Sequence, residues 1–211
     1  MLQVAQAVLV PRALARMHEE NPGVTVMLHE STSDLLLASL ADGELDCFIG
    51  RLMQGSSQSG FRTEVLYEEP VYIVARMGHP LARSTHITAD TLARQAWILP
   101  PPDAPLRQRV DAYFAEQGLA LKVPLAESVA LLANEILLRS TDVLCAMPRG
   151  VAQHYARQGV LTILKFRPPW VLPSVGVVTR ADVTPAPALE RFLQTVREEA
   201  VTMREQGVAD S

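Results

Sequence analysis

Leu36-Leu37-Ala38-Ser39-Leu40-Ala41-Asp42-Gly43-Glu44-Leu45-Asp46-Cys47-Phe48-Ile49-Gly50 runs from a helical pattern through a turn into an almost wholly apolar stretch. The spacing predicts a helix over 35–41, ended by Asp42-Gly43, and a short strand over 45–50. An apolar run of that kind belongs to a sheet covered by helices on both faces. Leu132 to Pro148 repeats the plan: a helix, a turn with Asp142, and an apolar strand holding Cys145. Two similar units in one chain predict two lobes built alike.

The same alternation extends outward. Val10, Ala13, Leu14 and Met17 share one helical face, with Pro11 in the first turn and Asn21-Pro22-Gly23 as the stop. Val24, Val26 and Leu28 alternate, so 24–29 reads as a strand. Ser31-Thr32-Ser33-Asp34 supplies N-cap candidates for the helix that follows. Strands are expected at 65–67, 71–75, 96–99, 143–147, 160–166 and 175–179, with 121–125 extended. Helices are expected at 89–93, 107–117, 129–139, 151–158 and 188–204. Gly55 to Gly60 and Pro100 to Pro105 read as loops. Strands alternating with helices give an α/β protein with mainly parallel sheets.

Composition excludes several function classes. The 211 residues are 48% apolar and 20% charged, enough for a real core, and a net charge of −4 without a basic run gives no general attraction for nucleic acid. No run reaches the roughly 20 apolar residues of a membrane helix. Cys47 and Cys145 sit in apolar stretches and are expected to be reduced, which suits a cytoplasmic location. His18, His29, His79, His86 and His154 lack metal-ligand spacing. No GxSxG, P-loop or GxGxxG occurs, and no nucleophile stands with a base, so the chain is not expected to be an enzyme or to need a cofactor.

Several ordered signals carry a resemblance. Leu9-Val10-Pro11 opens the first helix, Asn21-Pro22-Gly23-Val24 leads on, and Leu40 to Asp46 precedes a buried strand. Gly78-His79-Pro80-Leu81-Ala82 follows the strand at 72–75, and Ala146-Met147-Pro148 closes a later unit. In this order, over nearly the whole chain, they resemble the effector-binding domain of LysR-type transcriptional regulators. Arg139-Ser140-Thr141-Asp142 to Pro148 further resembles a subgroup named for regulating galactose-binding proteins.

The resemblance implies a fold like the type II periplasmic binding proteins: two Rossmann-like lobes joined by two crossover strands, here 71–75 and 175–179. Lobe I would comprise 1–74 with 177–211, and lobe II 75–176, with the N-terminal winged helix-turn-helix DNA-binding domain absent from this chain. It implies a small effector in the interlobe cleft, a cytoplasmic homodimer that becomes a tetramer in the full-length protein, and DNA contact only through the missing domain. The dimer would pair the helix Pro11 to Glu20 with Val129 to Arg139. A solute-binding protein of the same fold is the alternative function.

Two departures accompany the resemblance. The family's first strand would fall before Met1, leaving a gap in the first lobe's sheet. Where relatives carry a hydroxyl before the first helix this chain has Val4, so Gln3 or Gln6 would supply any polar contact there.

Candidate ligand contacts follow from the resemblance, which implies a ligand-binding hydroxyl at Ser33 and a cleft position at Arg51, and from the chemistry of the residues there. Ser31, Thr32 and Ser33 stand where a helix start offers free N–H groups to an anion. Arg51 follows the apolar strand and can meet a carboxylate bidentately, or serve as a surface arginine paired to an acid. The proline-rich stretch ending at Pro105-Leu106-Arg107 is either a ligand surface, with amides at the start of the helix from Arg107 facing the ligand, or a stiff surface loop. Ser128 is a cap or a contact. Met147 is expected in the core, and His79 in a structural role. The effector is expected to be a small organic anion or a sugar-like polyol.

Overall fold

The computed structural model describes residues 8–52 and 60–209, and side chains as far as residue 205. Gln3, Val4, Gln6 and the loop from Gly55 to Ser59 lie outside the described residues. The chain divides into two compact units, Met1–Glu69 with Pro173–Ser211, and Pro70–Leu172.

The first unit is built on α1 (Leu9–Glu20), α2 (Ser33–Ala41), β1 (Phe48–Arg51), β2 (Phe61–Tyr67), β8 (Val175–Arg180) and the long α7 (Pro187–Ala209). Leu9, Val10, Ala13 and Met17 of α1 are buried and cluster with Phe192, Leu193, Val196 and Ala200 of α7. Leu14, expected on the same face, is only partly buried. Arg16 reaches from α1 to Glu198 and Glu199 of α7. Those pairs are partly exposed, so the apolar seam carries the contact. Leu36 and Leu40 of α2 meet Phe48 and Val178, which is why the quoted stretch folds as a helix laid on its own following strand.

β8 is the central strand of the first sheet, antiparallel to β1 and to β2, with a bulge in β2 between Val65 and Tyr67. The expected parallel pairing is therefore corrected here. Hydrophobic runs report that both faces of a strand are covered, and they carry no information about its direction. The segment 24–29 is a second correction. Val24 and Val26 are half-buried, but Leu28 of the same face is 49% exposed beside Met27 at 79%, and no strand pairing includes the segment among the described residues. Period-2 patterning marks a face, whereas a strand also needs a partner backbone.

The second unit holds a mixed sheet in the order β5-β4-β6-β3-β7. Its strands are β3 (Val71–Arg76), β4 (Ala96–Leu99), β5 (Ala126–Glu127), β6 (Val143–Pro148) and β7 (Leu161–Ile163). β4 pairs parallel with β5 and β6, and β3 pairs antiparallel with β6 and β7. The helices are α3 (Ala89–Ala93), α4 (Pro105–Glu116), α5 (Leu131–Ser140) and α6 (Arg149–Arg157). Ile73, Trp97, Phe114, Leu144 and Trp170 form its core. Cys145 is buried and Cys47 half-buried; both are free thiols, and burial pushes each up to about 12. Met147 is in the core, as expected.

His79 is buried and caps a short 3-10 turn (Pro80–Arg83) by accepting from the Leu81 N–H through Nδ1 at 3.1 Å. Arg76 and Asp142 form an ion pair at 2.6 Å and both act on the ring's charge. Burial lowers the His79 pKa, opposed by the Asp142 backbone and charge and assisted by Arg76. A folded-state value below the unfolded one means that the unfolded chain takes up the proton first. Stability at this residue is thus held above about pH 6.5, the unfolded value, and lost as pH falls below it. Urea midpoints of the wild type and His79→Gln should converge between pH 7.5 and 5.5. A constant difference would refute the linkage.

Candidate functional site

The two units place their candidate residues in different local settings. In the first unit α2 begins at Ser33, with Thr32 as the cap residue in extended conformation. The Leu36 N–H bonds to the Thr32 carbonyl at 3.0 Å, and no side chain caps the helix. A helix start leaves its first N–H groups without intrahelical partners. Those of Ser33, Asp34 and Leu35 therefore stay available, and the partial positive charge there favours an anion. Asp34 in the first turn already uses part of that field. Ser31 and Ser33 are half-buried, and Thr32 is exposed. The expectation that one of these hydroxyls caps the helix is not met.

Arg51 ends β1 and is half-buried. Its guanidinium donates to the Pro173 carbonyl at 2.8 Å and, through a long contact of 3.5 Å, to the Glu69 carbonyl. Burial lowers its pKa, and the charges of Glu69 and Tyr67 oppose that shift. Glu69 is itself only 5% exposed. In the sequence Glu69 stands between Glu68 and Pro70, in the short link between the strands expected at 65–67 and 71–75. Nothing local distinguishes it from its neighbour Glu68, which is exposed.

In the second unit the candidates gather at the carboxyl end of β4, where ligands bind in open α/β sheets. The Ser128 N–H bonds to the Leu99 carbonyl at 2.8 Å. Arg107 donates to the Pro100 carbonyl at 3.1 Å, to Glu127 at 2.9 Å and to Asp111 at 2.8 Å. Hydrogen bonding to Glu127 is the largest cause of its raised pKa. Its side chain is thus committed within the unit. Pro105 occupies the first turn of α4 and brings no N–H, and the Gln108 N–H already bonds to Ala104, so the Leu106 and Arg107 amides remain as donors. Ser128 accepts from the Ala130 N–H at 3.1 Å, and α5 starts at Leu131 rather than Val129. It caps the turn before the helix, not the helix itself. A groove of about 360 Å³ also has Leu99 and Arg107 in its wall, with Phe114 and Lys122. Neither Leu106 nor Ser128 lines it, so it is a separate surface.

Taken unit by unit, the free amides at the start of α2 and those at Leu106 and Arg107 are each suited to an anion. The LysR substrate binding domain family model matches residues 1–201. The chain belongs to the LysR substrate-binding domain family. A curated LysR-type relative, the HTH-type transcriptional regulator GalR of Pseudomonas putida, is 30% identical over 197 residues, covering 93% of this chain and 49% of its own length. The chain spans about half to two thirds of the curated relatives first matched. Among solved LysR-like structures, a putative transcriptional regulator from Vibrio parahaemolyticus aligns with TM-score 0.80 at 18% identity, over 98% of this chain and 94% of that one. The effector binding domain of QuiR in complex with shikimate aligns with TM-score 0.70 at 16% identity, over 95% and 94%. These establish for this LysR domain the type II periplasmic-binding-protein-like fold. The named LysR relatives are regulators of transcription, not enzymes.

Proposed function

We propose that this chain is the effector-sensing part of a bacterial LysR-type regulator whose effector is a small organic anion or a sugar-like polyol. The observation that carries the reading is the start of α2, where three N–H groups of an uncapped helix lie beside Ser31, Thr32 and Ser33. Arg51 supplies a fixed cation in the same unit. The Leu106 and Arg107 amides with Pro105 and Ser128 form the second unit's candidate surface. QuiR's shikimate, a hydroxylated carboxylate, fits the same chemistry.

The reading extends to a cytoplasmic homodimer, a tetramer as the full-length protein, with DNA bound through a winged helix-turn-helix domain outside this chain. No helix of the described residues is long and apolar enough to cross a membrane. On α5, Leu132 and Ile136 are 68% and 55% exposed and Val129 just before it 45%, an apolar stripe that suits the proposed pairing with α1. A solute-binding protein of this fold is the second reading; the named relatives favour the regulator.

The test is a thermal-shift screen of shikimate and other polyhydroxy carboxylates against neutral sugars. At a hundredfold its dissociation constant a true effector should stabilise the fold by about 2.7 kcal/mol. Ser33→Ala and Arg51→Ala should each weaken binding, the arginine by about 1.5–3 kcal/mol for a carboxylate. An effector whose affinity neither substitution changes would place the site elsewhere. Weakening by alteration of the Leu106–Arg107 turn as well would show that both units contribute.

A further inference from the structure

Arg51 stands at an unusual place in the chain path. The chain leaves the first unit after Glu69 and returns to it at Pro173, and the carbonyls of those two residues are the two that Arg51 contacts. The neighbouring Leu52 N–H bonds to the Ser174 carbonyl at 2.9 Å, continuing the β1–β8 pairing toward the return point. Glu69 is buried and its charge acts on Arg51. A planar guanidinium has five donors in a fixed fork and can serve two carbonyls and a further acceptor at once, which a lysine ammonium on a flexible stem does poorly.

We propose that Arg51 is a positioning residue that clamps the exit segment at Glu69 to the return segment at Pro173. Its contacts hold both segments against the end of β1. The donors left over are those that the effector reading assigns to an anionic ligand, and on that reading alone the ligand and the clamp draw on one guanidinium. Effector engagement at Arg51 then acts directly on the two segments where the chain passes between units.

Hydrogen exchange of the ligand-free protein tests the clamp without an effector. In Arg51→Ala the amides of Glu69, Val71, Ser174 and Val175 should exchange about tenfold faster or more, while those of β4 and β6 stay as in the wild type. Arg51→Lys keeps a charge beside Glu69 and should recover urea stability while leaving much of the local exchange fast. Wild-type exchange at the four amides in Arg51→Ala, or exchange raised evenly through the chain, would each overturn the clamp. Lost effector binding with unchanged exchange would overturn the clamp and leave the effector site standing.

Discussion

Gly176→Ala should destabilise the protein by about 3 kcal/mol, with faster hydrogen exchange in β1, β2 and β8. Gly176 lies in β8, the central strand, opposite Val65 and next to the bulge of β2. A methyl group there would run into the Glu64 backbone carbonyl and would lie 2.6 Å from Cδ1 of Leu52. The leucine could turn away, but the carbonyl belongs to the β2 backbone. Relief would require parting two strands of a three-stranded sheet. Alanine restricts the unfolded chain by about 0.4–1 kcal/mol in the other direction, too little to offset the clash. Wild-type midpoints in urea, read by far-ultraviolet circular dichroism, would show that the strands separate more easily than their pairing suggests.

Trp97→Ala should destabilise by about 3–5 kcal/mol, the largest effect in the second unit. Trp97 is 1% exposed on β4, and its Nε1 donates to the Leu92 carbonyl at 2.9 Å. Its ring meets Phe114 edge to face with centroids 6.2 Å apart. Alanine leaves a cavity between α3, α4 and the sheet that rigid neighbours cannot close. Trp97→Phe should retain more than half of the stability, because the Leu92 carbonyl also accepts from the Gln95 N–H. The chain has two tryptophans, and the other, Trp170, lies in the same core, so its fluorescence remains a reporter of this unit in the variant. A loss of less than about 1.5 kcal/mol would mean that the core collapses around the gap.

Trp97 and Gly176 also differ in how far they could be read beforehand. Trp97 lies in an apolar run between a short helix and a proline-rich loop, and its burial follows from that pattern. Gly176 has no positive φ and no turn beside it, so nothing local marks it out; its necessity comes from β2 crossing close by, more than a hundred residues away in sequence.

The candidate site divides in the same way. Both helices were legible, but each starts two residues earlier than the spacing predicts, at Ser33 rather than 35 and at Pro105 rather than 107. The backbone at Arg107 was read as part of a ligand surface; its side chain is engaged by Asp111, one turn along its own helix, and by Glu127, twenty residues on. Only the first of those partners is implied by helical spacing.

By itself the sequence determined the alternation of helices and strands, the apolar faces of α1 and α2, the buried strands at Phe48 and Val143, and the family. These depend on periodicities and end signals that act over a few residues. Tertiary structure decided strand direction, the lack of a ladder at 24–29 among the described residues, the burial of Glu69 rather than Glu68, and the two carbonyls that Arg51 holds. Each is a pairing between segments distant in sequence, set by which backbones meet once the cores have packed, and no local pattern carries that information.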